Sequence, residues 1–141
     1  MKPTAFQIDC INYVLNSIEG FSKLLVQLSV LEINLIENTG VSCIYKYTLT
    51  PNNNLTHLHF DKSEIALVGC QVNIDTLPYG ATLTLWIRKG KIDTLEILTN
   101  GNDFLKNEPE NYSFEIIPVN YIIDNKPKSW FAALKSFINN Y

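Results

Sequence analysis

Ala81-Thr82-Leu83-Thr84-Leu85-Trp86-Ile87-Arg88, then Lys89-Gly90, then Lys91-Ile92-Asp93-Thr94-Leu95-Glu96-Ile97-Leu98, is the stretch that decides how this chain folds. Both flanks alternate apolar and polar residues with period two around a glycine, which reads as a β-hairpin. A two-residue loop would pair Leu83 with Glu96 and Leu85 with Thr94, mixing a carboxylate and a hydroxyl among the leucines. A three-residue loop, with Gly90 left-handed in a G1 bulge, moves the register by one. Ile87 then faces Lys91, Leu85 faces Asp93, Leu83 faces Leu95 and Ala81 faces Ile97. Register follows the apolar set, because a slip by one turns every side chain over. The bulged loop is therefore expected, with Ala81, Leu83, Leu85, Ile87, Leu95 and Ile97 as one buried patch. Thr82, Thr84 and Trp86 then share the other face with Glu96, Thr94 and Ile92. Burying an indole is worth roughly 2–3 kcal/mol, so Trp86 is expected either beneath a helix of its own chain or against a partner.

Upstream, Pro3 suits a first helical turn, and Ile11, Val14, Leu15 and Ile18 follow at helical spacing until Gly20. Ser22 is placed to cap a short second helix reaching about residue 28. A hairpin is expected over 30–49: Leu31, Ile33 and Leu35 alternate with Glu32 and Asn34, Asn38-Thr39-Gly40 turns, and Val41, Cys43, Tyr45, Tyr47 and Leu49 form the return strand. After a polar loop at 51–54, a short strand is read over 55–60, and another in which Val68, Cys70, Val72 and Ile74 alternate with Gly69, Gln71 and Asn73. Asn100-Gly101-Asn102-Asp103 is a turn. Tyr112, Phe114 and Ile116 mark a strand limited by Pro118, and 119–123 a last extended piece. Trp130, Leu134, Phe137, Ile138 and Tyr141 lie on one helical face, after Pro127, and that helix is expected to cover the sheet. The sum is a single α+β domain over 1–141: a twisted antiparallel sheet of six or seven strands with N-terminal and C-terminal helices packed on it.

Charge narrows the function classes. The net charge is −3 and Arg88 is the sole arginine, so a phosphate-binding or nucleic-acid-binding surface is not expected. Residues 93–124 hold seven carboxylates against Lys106, a local −6 that is either a solvated face or a docking surface for a basic partner. Cys10, Cys43 and Cys70 are odd in number and widely spaced, as free thiols of a reducing compartment are. Neither a signal peptide nor a membrane span is read, since Gln27, Glu32 and Asn34 interrupt the most apolar run. The expected location is cytoplasmic.

No constellation demands catalysis. His57 and His59 would share one face of a strand, yet a zinc site wants three or four protein ligands, so no metal is expected. Glu96 lies among apolar neighbours, which strand alternation accounts for without chemistry. Cys43 and Cys70 fall on the apolar side of their strands, where a thiol is inert filler. The glycines are isolated and turn-related, so no phosphate-cradling loop and no cofactor are expected.

Gly69-Cys70-Gln71-Val72-Asn73-Ile74, Pro78-Tyr79-Gly80-Ala81 and Gly90-Lys91-Ile92-Asp93-Thr94-Leu95-Glu96-Ile97, with Gly101 downstream, together resemble a pattern of small bacterial proteins. Among these are the immunity proteins of polymorphic and contact-dependent growth-inhibition toxin systems. The resemblance spans residues 69–101 and carries no catalytic residue over. It implies a cytoplasmic monomer or homodimer that binds a cognate protein toxin, such as a basic nuclease, and occludes its active site. Partner-binding residues are then expected at Trp86, Glu96, Asp103, Glu108 and Glu110, the acids steering and the indole anchoring. The alternative is a small-ligand cavity protein or enzyme of nuclear-transport-factor-2-like shape, with Tyr45, Tyr47, Cys70 and Trp86 lining a pocket. A third possibility is a structural subunit paired through a strand or helix face.

Overall fold

The computed structural model describes residues 1–50, 64–103, 105–115 and 120–123. The expected strand carrying His57 and His59, the end of the strand at Ile116, and the C-terminal helix with Trp130 and Phe137 lie outside the described residues.

Helix α1 (Ala5–Asn16) starts behind Thr4, whose Oγ1 accepts the backbone N–H of Gln7 at 3.4 Å. That is an N-cap satisfying a donor the helix cannot pair itself. Its inward stripe is Phe6, Gln7, Cys10, Ile11, Val14 and Leu15, all buried. Gly20, at φ 93°, then turns the chain into a run of 3-10 turns, Phe21–Val30. A capped α-helix starting at Ser22 was the expectation; the run instead begins at Phe21 with Ser22 inside it. Phe21, Leu24 and Gln27 are its buried residues. Their spacing of three matches the 3-10 period, in which side chains three apart stand in line.

The strands are β1 (Leu31–Asn38), β2 (Ser42–Leu49), β3 (Glu64–Ile74), β4 (Leu77–Arg88), β5 (Lys91–Thr99), β6 (Tyr112–Glu115) and β7 (Asn120–Ile123). All described pairings are antiparallel, in the order β1-β2-β5-β4-β3, and β6 and β7 share the far edge of β3. The chain is thus α+β. Helix α1 and the 3-10 run lie against one face of the sheet and close a continuous core over Cys43, Tyr45, Tyr47, Leu67, Cys70, Leu83, Leu85 and Leu95. Among the described residues no helix is long and apolar enough to cross a membrane.

The central hairpin keeps the expected faces by a different device. Arg88 pairs with Lys91 and Ile87 with Ile92, so the loop has two residues; Lys89 (φ 52°) and Gly90 (φ 73°) are both left-handed, as a primed turn requires. The extra residue is Asp93 in β5, between the Ile87–Ile92 and Trp86–Thr94 pairs. Beyond this bulge Leu85 pairs with Leu95, Leu83 with Ile97 and Ala81 with Thr99. The expected partners Leu85–Asp93, Leu83–Leu95 and Ala81–Ile97 are therefore each displaced by two. The apolar patch forms regardless, with Ala81, Leu83, Leu85, Ile87, Leu95 and Ile97 all buried. Ile92 precedes the bulge, so it joins this core rather than the outer face.

Bulges elsewhere act in the same way. The register shifts around Asn34, so Leu35 pairs with Lys46 and is 43% exposed instead of joining Leu31 and Ile33 inward. A shift at Gly69 (φ 96°) sets Val68 opposite Thr84 and leaves Cys70 opposite Leu83, so Val68 departs from the inward set expected of it. In both cases one additional residue reverses the alternation beyond it.

Gln27 ties the two layers together. Its Nε2 donates to the Gly90 carbonyl at 3.0 Å and its Oε1 accepts the Ile92 N–H at 2.9 Å, both fully inside the protein. Gln27→Leu would leave that donor and acceptor buried and unpaired. The expected cost is about 2–4 kcal/mol, seen as a melting temperature lower by roughly 5–15 °C. Gln27→Glu should destabilise more at pH 8 than at pH 5, since only the protonated acid can donate to Gly90. A melting temperature unchanged in both variants would show that the turn holds itself.

Candidate functional site

The expected partner-binding residues divide between the two sides of the sheet. Trp86 and Glu96 lie on the outer side: Trp86 pairs with Thr94 and Glu96 with Thr84, diagonal neighbours across β4 and β5. Trp86 is half-buried between Ala66 and Thr94, both buried. Around it stand Thr82, Thr84 and Ile44, with Leu98 45% exposed on the same face. Flanking charges are locally paired. Arg88 bridges Glu64 (3.1 Å) and Asp93 (3.4 Å), and Lys46 lies 4.0 Å from Glu37.

Asp103, Glu108 and Glu110 belong to the loop after β5, which returns on the inner side. Leu105, buried in the core, donates its N–H to the Gly40 carbonyl at 3.0 Å, and Thr99 Oγ1 donates to the Asp103 carbonyl at 2.6 Å. Asp103 Oδ2 is buried with no hydrogen-bond partner among the described residues. Glu110 is exposed. Glu108 is not a free surface charge. Its Oε1 accepts from Thr4 Oγ1 (2.7 Å), Gln7 Nε2 (3.0 Å) and the Tyr45 hydroxyl (3.4 Å). Gln7 Oε1 in turn accepts from the Tyr47 hydroxyl at 2.8 Å. A carboxylate at the first turn of α1 is also favoured by the helix dipole.

These groups border a cleft of about 320 Å³ between the start of α1, the β1–β2 hairpin and the 105–108 segment. Ile33, Ile36 and Met1 form its apolar wall; Tyr45, Gln7, Thr4 and Glu108 form its polar one. A second cleft of about 380 Å³ lies across the same loop, bordered by Asp75, Thr76 and Glu110. Tyr45, Tyr47, Cys70 and Trp86, expected to line one cavity, do not converge. Tyr47 and Cys70 lie in the core cluster, Trp86 is on the opposite side of the sheet, and Tyr45 borders the cleft just described. Thr4 and Gln7 were not singled out from the sequence, because they meet Glu108 across about a hundred residues of chain. The available signal was Gln7 itself, a polar residue four before Ile11 on an otherwise apolar helical stripe.

Burial suppresses the nucleophiles. The Cys70 thiol is pushed up to about 12, and Cys10 and Cys43 are likewise raised, in each case chiefly by desolvation of the thiolate. Tyr45 and Tyr47 are raised for the same reason. Tyr112 is pushed up to about 12, mainly because its hydroxyl donates to Asp9 at 2.5 Å. Among the described residues no three His, Cys, Asp or Glu side chains group as metal ligands do. The chain matches no family model, no curated protein and no solved structure.

The raised thiols imply a pH dependence of stability. Folded Cys70 keeps a proton that the unfolded chain releases near the ordinary value of 9.0. Its contribution is therefore complete below pH 9 and is lost as pH rises from 9 towards 12. Urea midpoints measured in reductant should fall over that window, and Cys70→Ala should flatten the fall. A parallel decline in both proteins would assign it to Cys10, Cys43 and the buried tyrosines instead.

Proposed function

We propose that this chain is a protein-binding module that neutralises a cognate toxin domain, with the outer face of the sheet as its contact surface. Trp86 carries the proposal: a half-buried indole among threonines and Glu96, on the side of the sheet away from the core cluster formed by the described residues. Leu98 and Ile44 extend it into an apolar centre with a polar rim, the anatomy of a binding hot spot. Glu96 beside Trp86 and the net acidity of the chain support a basic partner, a nuclease domain being one such, because opposite charge raises the encounter rate. Glu96 and Glu110 are the acids suited to steering. Glu108 is engaged within the chain, so its contribution is structural.

The test is titration against a toxic domain encoded beside this chain's gene. Trp86→Ala should weaken binding by about 2 kcal/mol or more, roughly thirtyfold, with the melting temperature reporting the fold. Glu96→Lys and Glu110→Lys should slow association and reduce its salt dependence, and Glu108→Lys should lower stability first. Undiminished affinity in a folded Trp86→Ala protein would remove the outer face from the interface.

A further inference from the structure

We propose that the cleft beneath Glu108 binds a small organic cation, an alkylammonium whose NH3+ meets Glu108 and whose alkyl stem lies along Ile33 and Ile36. The cleft is on the inner side of the sheet, so this site is independent of the outer-face interface.

The hydrogen bonds already made select the head group. Thr4 and Tyr45 spend their hydroxyl protons on Glu108 Oε1, Gln7 donates to the same atom, and Tyr47 spends its proton on Gln7 Oε1. Apart from the second N–H of Gln7, what these residues retain is acceptor capacity, foremost Glu108 Oε2, which has no hydrogen-bond partner among the described residues. A ligand that brings donors can use it. Lys106 and Met1 also border the cleft, and neither forms an ion pair with Glu108 among the described residues. Three donors fixed on one oxygen hold the carboxylate in place before any ligand arrives, which lowers the ordering cost of binding.

The apolar wall selects the body. Ile36 pairs with Tyr45 on the inner side of β1 but is 45% exposed, because no inner-layer side chain covers it fully at this end of the sheet. A volume of about 320 Å³ is at the small end of ligand sites, which suits a short chain rather than a fused ring system.

The test uses the full chain and n-butylammonium chloride at constant ionic strength, followed by backbone amide shifts in NMR. Saturable shifts should centre on Thr4, Gln7, Tyr45 and Glu108. Glu108→Gln keeps a carbonyl for the three donors but removes the charge, and should weaken binding about tenfold or more. Ile36→Ser, at the exposed rim, should weaken n-butylammonium several-fold and leave methylammonium unchanged; this variant serves if Glu108→Gln lowers the melting temperature. Absence of saturation, equal binding by Glu108→Gln, or n-butanol binding as well as the amine would overturn the site. Nα-acetyl-lysine N-methylamide separates the sources. Tighter binding than n-butylammonium assigns the site to a protein lysine, and weaker binding to a free amine.

Discussion

One carboxamide holds the layers of this protein in register. Gln27 reaches from the 3-10 run into the turn between β4 and β5, giving its N–H to Gly90 and taking that of Ile92. Both backbone groups are buried, so each needs a partner, and the two-residue turn has none to spare. The clamp therefore fixes where the inner layer meets the two central strands. It also sets the course of β5: with Ile92 held inward, the surplus residue of that strand must be expelled at Asp93. Arg88 and Thr94 receive that carboxylate at the surface.

The sheet owes its two distinct faces to such irregularities. Register shifts next to Asn34, Gly69 and Asp93 each reverse the alternation of a strand. A long regular strand facing a curved helical layer would drift out of phase with it, and one additional residue restores the inward set while adding twist. The residues displaced outward, among them Leu35 and Val68, enrich the outer face in apolar side chains. Trp86 is thus one member of a wider apolar surface.

At the other end of the inner layer, polar groups replace packing. The loop carrying Glu108 is pinned by Leu105 in the core and by the Gly40 carbonyl, and its carboxylate then closes over the first turn of α1. Further along, Tyr112 donates to Asp9 while its ring meets Phe6 edge-on at 4.8 Å, and Phe114 stacks on Tyr13 at 4.6 Å. Helix α1 is therefore held at its start by hydrogen bonds and along its length by aromatic contacts from β6. The acidic segment is accordingly not one surface. Glu108 belongs to the inner rim, Glu96 to the outer face, and Glu110 to solvent.

Helical spacing in the first twenty residues and period-two alternation after them were enough to determine the α+β class, the β1–β2 and β4–β5 hairpins, the inward positions of Ala81, Leu83, Leu85, Ile87, Leu95 and Ile97, and the placement of Trp86 and Glu96 away from the core. Those features depend on local alternation and on burying apolar area, which a linear string records directly. Only the tertiary structure decided the two-residue turn, the inward position of Ile92, and the union of Thr4, Gln7, Tyr45 and Glu108. A bulge is selected by what the whole strand must face, and a buried polar cluster by which distant donors and acceptors are brought together. Gln7 and Gln27 were visible in the chain as polar residues within apolar stripes; their partners were not, because a carboxamide accepts and donates alike, and folding alone supplied the groups that complete it.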